Sequence, residues 1–90
     1  MYVLIAYDIS NNKRRTKVSD FLSGYGSRVN YSVFEVIISK PKFKILISKV
    51  EEMTKKEDNI RFYILDKEAL KKSFVLNDKK GVFSQDELYF

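Results

Sequence analysis

Residues 2–9 are almost uniformly apolar, and β-branched and aromatic types dominate them. A run of that length and kind predicts a central strand covered on both faces. The period then changes. Val18, Phe21, Leu22 and Tyr25 recur at i, i+3, i+4 and i+7, one apolar stripe of a helix, with Lys13, Arg14, Arg15, Lys17 and Asp20 at the remaining positions. Ser10, Asn11 and Asn12 offer capping oxygens ahead of that helix, and Gly24 and Gly26 offer a left-handed stop behind it. Residues 28–39 are rich in Val, Tyr, Phe and Ile and fit no helical period. They suit one long strand or two short ones, and no Gly or Pro marks a bend.

Pro41 sits where helices commonly begin. Phe43, Leu46, Ile47, Val50 and Met53 form the second helical stripe, and Glu57, Asp58 and Asn59 are expected to close it. Residues 60–65 predict a further strand, 66–72 a polar helical turn, 73–76 a short strand and 77–81 a turn. The tail carries Val82, Phe83, Leu88, Tyr89 and Phe90, too much apolar surface for a solvated terminus, so it is expected to pack on something. Strand, helix, extended segment, helix, strand makes an α/β sandwich with two helices on one face of a small sheet. The other face has no cover within the chain, and a two-fold dimer stacking two sheets would supply one.

Ninety residues make one domain, and a monomer of that size buries only about 60–65% of its unfolded surface. With 44% hydrophobic and 14% aromatic residues, there is enough for a core and a self-association surface. The net charge of +5 favours a polyanionic partner, nucleic acid first. No Cys excludes disulfides and thiol metal sites, and no His excludes an imidazole base. No signal-peptide pattern opens the chain, and no apolar run approaches the ~20 residues of a membrane span, so a cytoplasmic protein is expected.

Asp8 is the residue most suggestive of chemistry. It ends the first strand, at the edge where α/β folds bind ligands, and a carboxylate there suits Mg²⁺, with Mn²⁺ as a second candidate. Without His, hydrolysis would have to use metal-bound water or a carboxylate. Arg14, Arg15 and Lys17 follow on the first helical turns, where anions are favoured, although a solvated helix face explains Lys13 and Arg14 equally well. Arg28 opens the extended segment. Tyr7, Tyr31 and Phe34 could stack on bases, with core or dimer packing the stronger reading for Phe34. One Asp is a poor metal site. Glu35 and Asp66 are the nearest further acids in pattern, and the spacing places neither beside Asp8. A dimer could bring a second Asp8 to a shared cation. The chain lacks a Gly-rich phosphate loop, a G-x-S-x-G elbow, Cys/His zinc spacing and the aromatic submotif of RNA-binding four-stranded sheets.

Tyr7-Asp8-Ile9-Ser10, Lys13-Arg14-Arg15, Lys17-Val18, Gly24-Tyr25-Gly26 and Arg28-Val29-Asn30-Tyr31-Ser32-Val33-Phe34-Glu35 together resemble the CRISPR-associated Cas two family. The specific resemblance covers residues 2–39, and beyond that only the pattern of elements matches. It implies an α+β, ferredoxin-like βαββαβ fold over residues 1–78, dimerising sheet to sheet. It also implies that residues 79–90 form an extra C-terminal strand, around Val82-Phe83, and a tail that contacts the partner protomer or another Cas protein. The implied activity is Mg²⁺-dependent endonuclease cleavage of single-stranded RNA or duplex DNA in spacer acquisition. The implied metal and catalytic residue is Asp8, one from each protomer, supported by Tyr7, Arg15, Lys17, Arg28 and Phe34. An architectural role is implied as well, bridging the Cas one integrase and holding protospacer duplex. Lys17 stands where the family often has Arg, which weakens any bidentate phosphate contact there, and Asn30 stands where Gln is frequent.

Overall fold

A computed structural model of the chain describes residues 1–77 and 81–84. The elements follow the order β1 (Tyr2–Asp8), α1 (Asn12–Ser23), β2 (Gly26–Asn30), β3 (Val33–Ile37), α2 (Lys40–Met53), β4 (Asn59–Leu65) and α3 (Lys67–Lys72). The sheet order is β2-β3-β1-β4, every neighbouring pair antiparallel. This is the ferredoxin-like α+β arrangement, with β1 and β3 in the centre and both longer helices on one face.

The core forms where the two periods meet. Val3, Ile5 and Tyr7 of β1 and Phe34 and Val36 of β3 alternate toward the helices, as strand geometry requires. Val18 and Leu22 of α1 and Phe43, Leu46 and Val50 of α2 descend on them, all buried. Phe21, Tyr25 and Met53 pack at the margin, while Ile47, expected in the second stripe, is exposed. The opposite face carries Leu4, Ala6, Val33, Ile37, Tyr63 and Leu65 with neither long helix over it.

The extended segment of residues 28–39 resolves into two strands. Asn30 makes the bend that no Gly or Pro signalled: the β2–β3 register slips between Arg28 and Asn30, and Asn30 Oδ1 accepts the Tyr31 amide at 2.7 Å. Asn11 caps α1 by accepting the Arg14 amide. Gly24, expected left-handed, has φ −78° and ψ −10°. Gly26 is needed for close approach instead, since a Cβ there would lie 2.2 Å from the Glu35 carbonyl oxygen.

Three further expectations are corrected. The second helix stops at Met53, before Glu57, because Thr54 Oγ1 donates to the Val50 carbonyl and the Asp58 carboxylate accepts the Lys55 amide, a local turn that competes with helix. Residues 73–76 form no strand: Ser73 completes α3 by donating to the Leu70 and Ala69 carbonyls, and Phe74 and Leu76 are exposed. In place of an extra strand at Val82-Phe83, Val82–Ser84 makes one 3₁₀ turn. Phe83 has φ 58°, which no strand can continue. Its buried ring meets Tyr2 edge-on at 5.6 Å, and its amide donates to Glu35 Oε1. The expected docking tail at Leu88, Tyr89 and Phe90 lies outside the described residues. Among the described residues, no helix is long and apolar enough to cross a membrane.

Candidate active site

Strand alternation separates the first two candidates. Tyr7 points toward the helices, whereas Asp8 ends β1 on the open face, in register with Asn59 of β4. Asp8 is exposed, and among the described residues no hydrogen bond or ion pair engages its carboxylate. Tyr7 is 4% exposed, and its ring lies over Phe34 at 6.3 Å and 23°. Neither ring can take a base in this arrangement. Together they pack the end of β1 from behind, and the Tyr7 amide donates to the Ser32 carbonyl. The Tyr7 hydroxyl is buried with no hydrogen-bond partner among the described residues.

Arg15 acts on the loop that leaves Asp8. Its Nη1 donates to the carbonyls of Ile9 at 2.9 Å and Ser10 at 3.3 Å, and Nη2 donates to Asn12 Oδ1. Arg28 reaches across to α1, donating to Ser19 Oγ at 2.6 Å, with its guanidinium 5.8 Å from the ring centroids of both Tyr31 and Phe34. Arg15, Arg28, Ser19 and Tyr31 line one cleft of about 300 Å³ on the helix side. Tyr31, 76% exposed, is the one aromatic of the three in a position to meet a base.

Lys17 lies elsewhere, in a wider groove between α1 and the end of α2 with Lys13, Glu52 and Met53. Arg14 is committed to protein. Its Nε and Nη2 donate to the two Asp58 oxygens at 2.8 and 3.1 Å, with Glu57 at 3.6 Å. That guanidinium, helped by the Lys55 amide, holds the Asp58 carboxyl below its ordinary range, and Asp58 in turn raises Arg14. The candidates therefore divide: Arg15 and Arg28 share a cleft, Tyr7 and Phe34 share a stack, Asp8 faces the other side of the sheet and Lys17 stands apart.

The two acids considered as partners for Asp8 are both distant from it. Glu35 pairs with Leu4, four residues back along β1, or about 13 Å. Asp66 caps α3 beyond Leu65, which pairs with Tyr2 at the opposite end of the sheet. No cluster of three acids or other metal-ligating side chains occurs among the described residues. The Asp8 carboxylate fits a hard cation that keeps several waters, and among the described residues no second acid of the same chain joins it. Sequence reasoning passed over Asn59, Arg61 and Tyr63, which stand on the open face beside β1. Only the β1–β4 register, which no local pattern reveals, puts them there.

The family model described as CRISPR associated protein Cas2 matches residues 1–73. A Synechocystis protein named CRISPR-associated endoribonuclease Cas2 3 is 48% identical over 71 residues, covering 78% of this chain and 76% of the relative. The crystal structure of Streptococcus pyogenes Cas2 at pH 6.5 superposes with a TM-score of 0.75 at 30% identity, covering 86% of this chain and all of the other. A chain of a partial Cas6-RT-Cas1–Cas2 complex gives a TM-score of 0.75 at 40% identity, with 84% and 90% covered.

Proposed function

The chain belongs to the CRISPR associated protein Cas2 family, and from that premise we propose that it is a metal-dependent endonuclease that works as a homodimer. The observation that carries the proposal is the unengaged Asp8 carboxylate at the carboxyl end of β1, on the face of the sheet away from the two long helices. The name endoribonuclease, borne by the Synechocystis relative, favours single-stranded RNA as first substrate, with duplex DNA as the second. Mg²⁺ or Mn²⁺ at Asp8 would polarise a phosphodiester oxygen and lower the pKa of bound water. The chain's own contribution is to hold Asp8. Tyr7 and Phe34 back the strand end, and Arg15 pins the loop after it. Two copies stacked by their open faces would set one Asp8 from each on a common axis. Arg28, Arg15 and Tyr31 then form an outer surface for the strand.

The test is cleavage of a labelled single-stranded RNA by wild type and Asp8→Ala, with Mg²⁺ and with EDTA. Wild type should cleave only with metal, and the variant should lose about 100-fold or more while its melting curve is unchanged. Equal cleavage by both proteins would reject the assignment.

A second reading is favoured by the solved Cas1–Cas2 complex: an architectural subunit that joins the Cas1 integrase and binds protospacer duplex. Its backbone contacts would come from the same basic cleft without reading sequence. Removal of residues 88–90 should weaken a Cas1 pull-down, and unchanged capture would set aside the tail as the docking element.

A further inference from the structure

Arg61 stands on the same face as Asp8, one strand away. Asp8 pairs with Asn59 and Ala6 pairs with Arg61, so Arg61 is the diagonal neighbour of Asp8, with Cα atoms roughly 7–8 Å apart. Its guanidinium is held from both sides along β4. Nε donates to Asn59 Oδ1 at 3.2 Å and Nη1 donates to Tyr63 Oη at 3.3 Å. Arg61 is exposed, and the remaining N–H groups of its fork have no partner among the described residues. An ion pair with Asp8 would be the plainer use of this cation. The structure does not make it: both contacts go to neutral oxygens.

The setting gives this arrangement a purpose. The rest of the face is apolar through Leu4, Ala6, Val33, Ile37 and Leu65, apart from Glu35, which pairs with Leu4 and accepts the Phe83 amide. A carboxylate alone at its end would repel a phosphodiester. A fixed guanidinium beside it offsets that repulsion and presents two N–H groups in the geometry that phosphate oxygens accept. We propose that Arg61 is a substrate-binding residue of the Asp8 site, gripping the nonbridging oxygens of a nucleic-acid phosphodiester while Asn59 and Tyr63 orient it. This rests on the reading of Asp8 given above and extends that site to β4.

The test measures binding without metal as well as cleavage with it. A fluorescein-labelled single-stranded RNA is titrated in EDTA across a salt series with wild type, Arg61→Gln, Arg61→Lys and Asp8→Ala. Arg61→Gln should bind about tenfold more weakly, with the slope of log affinity against log salt reduced by about 0.7 for each phosphate no longer neutralised. Arg61→Lys should restore the slope but not the full affinity, because the charge returns without the fork. With Mg²⁺, Arg61→Gln should raise KM more than it lowers kcat.

Wild-type affinity and slope in Arg61→Gln would overturn the proposal. So would a loss accompanied by a fall in melting midpoint that Arg61→Lys repairs without restoring the slope, since that is a structural role. The two readings fail differently. If Asp8→Ala cleaves like wild type, the nuclease assignment falls. If Asp8→Ala is inactive and Arg61→Gln binds RNA normally, only the role of Arg61 falls.

Discussion

Arg14 and Asp58 close a two-pronged ion pair, Nε to Oδ2 at 2.8 Å and Nη2 to Oδ1 at 3.1 Å, between the first turn of α1 and the loop that enters β4. The loop residue is followed directly by Asn59, the ladder partner of Asp8. One clamp therefore fixes both segments flanking the candidate site: the helix that follows Asp8 and the strand that pairs with it. The Asp58 side chain is almost fully enclosed, and its Oδ2 also accepts the Lys55 amide, so it also shapes the turn into β4.

The clamp makes stability depend on acid. Asp58 has its carboxyl lowered from the ordinary 3.8, first by the Arg14 hydrogen bond and then by the Lys55 amide. A depressed carboxyl stabilises the fold fully above its unfolded value and loses that contribution as the pH falls through its folded value. Asp58→Asn should therefore melt below wild type near neutrality. The gap should close progressively as the pH drops under 3.8. Melting curves from neutral pH into acid check this, and a constant gap would mean the ionised clamp is not what stabilises.

Gly26 can be tested against a contact rather than a dihedral. A Cβ at this position would lie 2.2 Å from the Glu35 carbonyl oxygen and 2.7 Å from Val36 Cγ2. The obstacle is backbone, so β2 must move away from β3. Gly26→Ala should cost about 1–3 kcal/mol in a urea titration. Amide exchange should rise selectively in residues 26–36, and wild-type exchange there would show that the strands accommodate the methyl.

Phe34 serves the site through packing. It is fully buried, stacked on Tyr7 and overlaid by Arg28. Phe34→Ala should cost about 3–5 kcal/mol, a large share of the ~5–15 kcal/mol that holds a domain folded. Phe34→Leu should cost much less. RNA binding by each variant should follow its folded fraction. A Phe34→Leu protein that is folded yet binds RNA many-fold more weakly would indicate direct contact instead.

What could be read along the chain was whatever a local period encodes. The 2–9 apolar run, the Val18–Leu22 stripe and the Phe43–Leu46–Val50 stripe each point one way because strand and helix geometry repeat within a few residues. Asp8 is visible for the same reason, as the first charged residue of an otherwise apolar strand. The β2–β3 bend escaped because a bulge and the Asn30 side chain make it, and neither has a pattern as plain as Gly or Pro. The division of the candidates was hidden too. That Tyr7 and Asp8 face opposite sides follows from alternation, but which side faces the helices is settled by packing. For Arg14 a solvated helix face and a phosphate contact fit the sequence equally well, and neither describes it: Asp58, 44 residues away, claims it. Arg61 had no local signal, since its nearness to Asp8 is a matter of register between the first and last strands.

The open face gives the last prediction. Ile37 is 56% exposed on it, opposite Tyr2 and two residues along β3 from Glu35, whose carboxylate already accepts the Phe83 amide. A single chain can carry a lysine there in water, so Ile37→Lys should still fold cooperatively, with a melting midpoint that no longer rises with protein concentration. A sheet-to-sheet dimer would have to bury that ammonium among apolar side chains, which costs several kcal/mol without a partner. Wild type should sediment as a dimer with a concentration-dependent melting midpoint. Ile37→Lys should sediment as a monomer, and its Mg²⁺-dependent cleavage should fall with the loss of dimer even though Asp8 is intact. If the variant stays dimeric, the two chains meet elsewhere, and the pairing of one Asp8 with another across this face is wrong.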